Sequence, residues 1–266
     1  VLVRTRALVL RSYPYSESSK VLRLFSSEHG LVSTIAKGAQ RPRSRFGGLL
    51  EPFTEGTAEF YHREGRDLHT LSGWDLIRSR QQLGRDLTAF AGASLLAELV
   101  LRQSGPQPAP ALFATLVEAF DGLAESPGGA AGLTIAAAWR TIAILGYGPQ
   151  TRFCVACGSA LEDGDVARFD AVGGGCCCAG CRPRGRPLAP EPRLELRRML
   201  HEEGPLLPAA DDTALQRVLL EAFLIGQFTD RQPFRSLDLF LRASAPPHTL
   251  AHKPGDRGYV ARGTSA

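Results

Sequence analysis

All six cysteines of this 266-residue chain lie between positions 154 and 181, in the string CVACGSALEDGDVARFDAVGGGCCCAGC. Cys154 and Cys157 make one CxxC, Cys178 and Cys181 a second, and residues 158–177 separate them. A two-residue gap lets both thiolates of a turn approach one cation, and two such pairs at this separation match a four-thiolate zinc site. Gly158 and Gly180 ease the two turns. Four sulfurs fill a tetrahedral shell, so the zinc expected here builds structure and leaves no position for an activated water. Cys176 and Cys177 fall outside the CxxC register and are expected to fill small apolar positions of the knuckle. Other readings fare worse. Disulfides need an oxidising compartment, a redox CxxC a βαβ setting, and a zinc deaminase an HxE motif before PCxxC, which is absent.

A different chemistry is written in KGAQRPRSRFGG, residues 37–48, with Lys37, Arg41, Arg43 and Arg45 and no acid. Neither helix nor strand periodicity claims this stretch, whose Gly and Pro residues read as loop. Mobile cations free of local acids suit phosphates, which they position without reading bases. Lys20 and Arg23, after SYPYSES, are further candidates for DNA contact, and Tyr13, Tyr15 and Phe46 are candidate stacking platforms that could equally cap a core. RPRGRP, residues 182–187, either adds phosphate contacts or is a charged linker. Charge is distributed unevenly: residues 1–80 carry 13 Lys/Arg against 8 Asp/Glu, and the rest of the chain is nearly balanced at 18 against 19. The surplus behind the net charge of +4 therefore sits in the N-terminal third, as a polyanion-binding protein would have it.

The elements that must hold these groups change character along the chain. VRTRALVLRS, KVLRLFSSEHG, LVSTIAKGA, TEGTAEFYHR and LHTLSGWDLI are short strand-like runs separated by turn formers. Five strands within residues 1–80 predict a small barrel of the oligonucleotide-binding (OB) type, with an SH3-like barrel or a sandwich piece without a ligand as the alternative. From residue 82 the apolar spacing turns helical. Leu83, Leu87, Phe90, Ser94, Leu95 and Leu99 share a face before a Ser-Gly-Pro stop, and further helical segments precede and follow the cysteines. The fold class is thus α+β: a five-stranded OB-fold barrel over 1–80, then an all-α domain over 82–242 carrying an inserted four-cysteine zinc knuckle at 152–182. Residues 243–266, rich in Pro and Gly and without periodicity, are expected to be a disordered tail.

At 44% hydrophobic the chain can bury a core, yet no run reaches the roughly 18 apolar residues of a membrane helix. The start VLVRTRALVLRSY offers no secretory apolar block, which predicts a cytoplasmic protein without a membrane partner; Val1 in place of Met points to a few trimmed residues. No phosphate-binding GxxxxGK[ST], GxSxG elbow or helix-opening GxGxxG occurs, and the six histidines are scattered, so no enzyme is expected. An RNA-binding or ribosome-associated barrel with a zinc ribbon, or a zinc hydrolase, would share parts of this pattern.

Longer motifs narrow the choice. KGAxRPxSRFGGLLxPF, then LGYxPxxxxCxxCG, the GG before CCAGC and the late FRSLDLFL resemble the bacterial RecO family of recombination mediators along almost the whole chain. That resemblance implies an OB barrel, a helical domain with an inserted zinc knuckle, and a role in DNA repair. It further implies binding of single- and double-stranded DNA, annealing of complementary strands, and action with RecR in loading RecA onto DNA coated by single-strand-binding protein (SSB). The acidic SSB tail would dock on the helical domain, and no nucleotide hydrolysis is implied.

Overall fold

A computed structural model describes residues 1–125, 127–181, 185–201, 204–209, 213–228 and 232–245. Residues 182–184 of the RPRGRP segment and most of the expected tail therefore lie outside the described residues.

Five strands, β1 (Leu2–Pro14), β2 (Lys20–Ser26), β3 (Gly30–Ala36), β4 (Glu55–Tyr61) and β5 (Leu68–Arg78), close into a barrel in the order β1-β2-β3-β5-β4. Only β3 and β5 pair in parallel; the other neighbours are antiparallel. Strand alternation sorts the side chains. On β2, Leu22 and Leu24 point into a core with Val9, Phe60, Leu71 and Trp74, while Arg23 and Phe25 point outward.

The outer face of the barrel is not all solvent. Leu8, Leu10, Phe25 and Phe53 join the core of the helical part, where Phe25 stacks on Phe113 at 6.4 Å and Phe53 meets Phe120 edge-on at 5.2 Å. Gly30, at φ +57°, lies against the backbone of Gly105 and Gln107, where a side chain has no room. Next to it the Leu31 amide donates to the Gly105 carbonyl at 2.9 Å, and the Ala109 amide donates to Ser27 at 3.0 Å. The buried Arg80 guanidinium reinforces this seam, donating to Glu55 (3.0 Å), Asp121 (2.6 Å) and the Phe53 carbonyl (2.9 Å). Glu55 is on β4 and Asp121 on a helix, so one arginine ties barrel to helices.

A 3-10 turn at Gln81–Arg85 leads into α1 (Leu87–Gln103), whose N-terminus is capped by the Asp86 carboxylate accepting from the Ala89 amide at 2.7 Å. Then come α2 (Pro110–Glu125), α3 (Ala130–Ile144), α4 (Pro190–Met199), α5 (Ala214–Gln227) and α6 (Arg235–Ala243). The expected one-faced α1 is corrected here. Leu87 is 62% and Phe90 40% exposed, whereas Ala89, Ala91, Ala93, Ala97 and Val100 are buried along with Leu95 and Leu99. Helix α1 packs against α2, α3 and α6 together, so small residues face neighbours on several sides and the stripe is blurred. Between α3 and α4 a three-stranded sheet, β7-β6-β8, forms from β6 (Ala167–Asp170), β7 (Gly175–Cys178) and β8 (Arg186–Leu188).

Candidate metal centre and cationic loop

The four CxxC cysteines converge. Their Sγ atoms all lie within 4.8 Å of one another, with Cys154 to Cys181 at 3.7 Å, Cys157 to Cys178 at 3.7 Å and Cys178 to Cys181 at 3.6 Å. A tetrahedron of sulfurs about 2.3 Å from a central ion has edges of about 3.8 Å. The cluster therefore has the size to hold one metal ion, and all four cysteines are free thiols.

Local backbone builds this arrangement. In the first knuckle the Cys154 amide donates to Ser159 and the Gly158 amide returns to the Cys154 carbonyl at 2.9 Å, with Gly158 at φ +73°. The Val155 amide donates to the Cys176 carbonyl at 2.9 Å, which joins the first knuckle to β7 and hence to Cys178. Burial pushes the Cys154 thiol up, but the amides of Cys178, Cys157 and Ala156 outweigh it and bring the pKa down to about 6. Cys157 is lowered chiefly by the Ser159 hydroxyl. Cys181 is pushed up by hydrogen bonding to Cys157, Cys178 and Cys154. Thiolates this close repel, so a cation among them is what would allow all four to ionise.

The two cysteines outside the register are both buried, and Cys176 joins the apolar core. Cys176 is completely buried opposite Phe169, and burial pushes its thiol up to about 11; Cys177 is 3% exposed and likewise raised by burial. Phe169 in turn packs on Trp139 of α3 (6.4 Å) and Phe223 of α5 (6.0 Å), seating the knuckle sheet on the helices.

Arg193 of α4 completes the mounting, and nothing in the sequence singled it out. Its side chain is 1% exposed, and its guanidinium donates to the carbonyls of Thr151 (3.0 Å), Leu161 (3.3 Å), Glu162, Asp163 (3.2 Å) and Asp165 (3.4 Å). These carbonyls belong to the chain just before the first knuckle and just after it. The only advance signal would have been an arginine on an otherwise apolar helical face, i−3 to Leu196.

The cationic segment lies in the β3–β4 connection. Lys37, Arg41, Arg43 and Arg45 are all exposed, and no carboxylate among the described residues pairs with any of them. Successive turns shape the loop: Arg41 to Gly38 (3.2 Å), Ser44 to Arg41 (3.0 Å), Gly47 to Ser44 (3.1 Å) and Leu49 to Phe46 (2.8 Å), each amide donating backward. Ala39, Phe46 and Leu50 enter the barrel core, so the loop is anchored from within. Phe46 is 2% exposed and is a core residue rather than a stacking platform; the Arg45 guanidinium lies over its ring at 4.9 Å. Tyr13 and Tyr15 remain accessible, at 41% and 65% exposed. Lys20 is ion-paired to Glu51 at 2.9 Å. Arg23 donates to the Ser33 hydroxyl at 2.8 Å and lines a cleft between the barrel and the helices.

Comparison with known proteins agrees with this architecture. The family model Recombination protein O N terminal matches residues 1–80, and Recombination protein O C terminal matches residues 84–223. The chain is 39% identical over 217 residues to DNA repair protein RecO of Anaeromyxobacter sp. (strain K), covering 79% of this chain and 83% of that one. It is 32% identical over 255 residues to DNA repair protein RecO of Rubrobacter xylanophilus, covering 96% and 93% of the two chains. With DNA repair protein RecO of Geobacter sulfurreducens it shares 33% identity over 244 residues, 85% and 98% of the two chains. No helix among the described residues is long and apolar enough to cross a membrane. Barrel order, cysteine cluster and family models agree, and the chain belongs to the Recombination protein O (RecO) family.

Proposed function

We propose that this protein is a non-enzymatic mediator of DNA repair and recombination that binds single- and double-stranded DNA through the β3–β4 loop. The observation that carries this reading is a set of four exposed cations, without a carboxylate partner among the described residues, on a loop pinned into the barrel core by Ala39, Phe46 and Leu50. A pinned loop meets phosphates with little ordering cost. Lys37, Arg41, Arg43 and Arg45 contact the backbone, with Arg23 and, once released from Glu51, Lys20 in support. Two strands repel through their phosphates. A surface that neutralises them without engaging base edges lowers the cost of their encounter and leaves pairing to the bases, which is strand annealing.

In this reading the protein works in the cytoplasm at the nucleoid, joins RecR, and helps load RecA onto SSB-coated DNA. Zinc is the ion that best suits four thiolates at this spacing, held by Cys154, Cys157, Cys178 and Cys181. With its shell closed by sulfur it supplies rigidity, not reactivity.

The test is fluorescence titration of labelled single-stranded DNA over a range of salt. Four phosphate contacts give a log–log slope contribution of about −3, or roughly 50-fold weaker binding between 50 and 200 mM salt. A combined Lys37, Arg41, Arg43 and Arg45 to Ala variant should lose that contribution, and an unchanged slope would refute the assignment. Matched RNA strands run alongside separate DNA preference from general polyanion binding.

A further inference from the structure

A cavity of about 700 Å³ opens between the barrel and the helices, lined by Arg11, Tyr13, Arg23, Arg102, Gln103 and Arg235 among others. Arg11 and Arg23 are cross-strand partners on the outer faces of β1 and β2, so the floor of the cleft is barrel wall. The end of α1 and the start of α6 make the opposite side. Among the described residues no carboxylate pairs with Arg11, Arg23 or Arg235. The one acid in the lining, Glu98, is already compensated: it accepts from the Arg235 and Ser236 amides (3.4 and 2.9 Å) and faces Arg102 at 3.6 Å. Arg11, Arg23 and Arg235 thus face the cleft without a carboxylate partner among the described residues, beside the exposed Tyr13, whose hydroxyl accepts from Arg11 at 3.0 Å.

This slot is continuous with the loop. Gln40, inside the loop, donates to the carbonyls of Ser16 (2.9 Å) and Ser19 (2.8 Å), and its amide donates to Ser18 (3.0 Å), which lays the loop against the β1–β2 turn. Tyr15 stands on that turn and Tyr13 follows on β1. Strand rise of about 3.3 Å per residue puts Arg11 only about 10 Å beyond the turn. The order along this surface is therefore cations, two exposed tyrosines, then cations again.

We propose that a nucleic-acid strand engaged by the loop continues across Tyr15 and Tyr13 into this cleft, where Arg11, Arg23 and Arg235 hold its phosphates and Tyr13 stacks a base. The inference rests on the loop reading above and adds a second, separable part of the path. An acidic peptide is the competing occupant. Continuity with the loop and a polar lining favour a phosphate backbone, since a peptide ending in an aromatic residue needs an apolar hole.

The test compares the full-length protein with an Arg11→Gln/Arg23→Gln/Arg235→Gln variant, checked for folding by its melting curve, in salt titrations with a long oligonucleotide. Three contacts correspond to a slope smaller in magnitude by about 2. Separately, Tyr13→Ala should weaken binding roughly tenfold while Tyr13→Phe keeps most of it, the loss of one stacked base. Photocrosslinking from 4-thiothymidine should mark the Tyr13 peptide. A wild-type slope in the triple variant, no crosslink at Tyr13, or loss of acidic-peptide binding with DNA binding intact would each overturn the cleft assignment. Because the loop variant is measured in the same assay, a normal slope there would sink the loop reading instead, and the two failures are distinct.

Discussion

Replacing Arg193 with Met tests whether one buried cation mounts the metal knuckle on the helical body. The guanidinium is 1% exposed and donates to five carbonyls from residues 151 to 165. Hydrogen bonds to a charged group contribute about 1.5–3 kcal/mol each, so the three shorter contacts together represent roughly 4–9 kcal/mol. Against that stands the cost of keeping the cation from water, several kcal/mol, which the methionine does not bear. Carbonyls left buried without a donor cost about 1–3 kcal/mol each. The net expectation is a loss of about 3–4 kcal/mol, a large part of the 5–15 kcal/mol that typically separates folded from unfolded states. At about 2 kcal/mol per molar urea the unfolding midpoint should fall by about 1.5–2 M. Trp139, packed on Phe169 of the knuckle sheet, is the fluorescent reporter of that region. In protein loaded with zinc, competition with a chromophoric chelator should show weaker retention of the ion in parallel, because the carbonyls that Arg193 gathers flank Cys154 and Cys157. Arg193→Lys should recover little, since a lysine ammonium lacks the planar fork that serves several carbonyls. A midpoint shift under about 0.5 M with unchanged zinc retention would refute the reasoning.

Arg80→Met should destabilise by about 1–3 kcal/mol in urea titrations, because it removes the buried partner of the Glu55 carboxylate, 2% exposed, which keeps only its ion pair with the half-exposed Arg6. Phe46→Ala should cost about 3–5 kcal/mol as a core truncation, while the salt slope of DNA binding by the folded fraction stays near wild type; a selective loss of affinity instead would revive its role as a stacking platform. His69 is held below its ordinary 6.5 by burial first and by His62 second, partly countered by Asp67, and its Nδ1 accepts from the Arg63 amide. The unfolded chain thus binds more protons as pH falls past 6.5, so this contribution is complete above 6.5 and is lost as pH drops toward the folded-state pKa. Thermal melts between pH 5 and 8 should show that decline, and His69→Gln should flatten it.

The features readable from the chain alone were those whose physics is local. A CxxC turn places two sulfurs side by side whatever surrounds it, and the four sulfurs did meet. Strand-like runs between turn formers marked all five barrel strands, although β1 and β2 bury both faces where they meet the helices. Crowded cations with Gly and Pro marked the β3–β4 loop, because charged side chains stay in water and Gly and Pro interrupt regular structure. Helix α1 was harder to read: its alanines look neutral in sequence but are buried by three neighbouring helices. The resemblance to the RecO family came from the same motifs and agrees with the family models.

Tertiary structure decided which charged and aromatic groups were left for a ligand. Arg80 and Arg193 look like solvent residues in sequence, yet both are buried, held by groups 25–42 residues away. Phe46 passed from surface candidate to core residue because the loop closes the barrel, and Lys20 acquired Glu51 as a partner. Arg11 and Arg23 face one cleft with Arg235 only because β1 pairs with β2 and α6 packs beside α1. Whether a charge is free or matched depends on neighbours brought in by folding, and a linear pattern does not contain those distances.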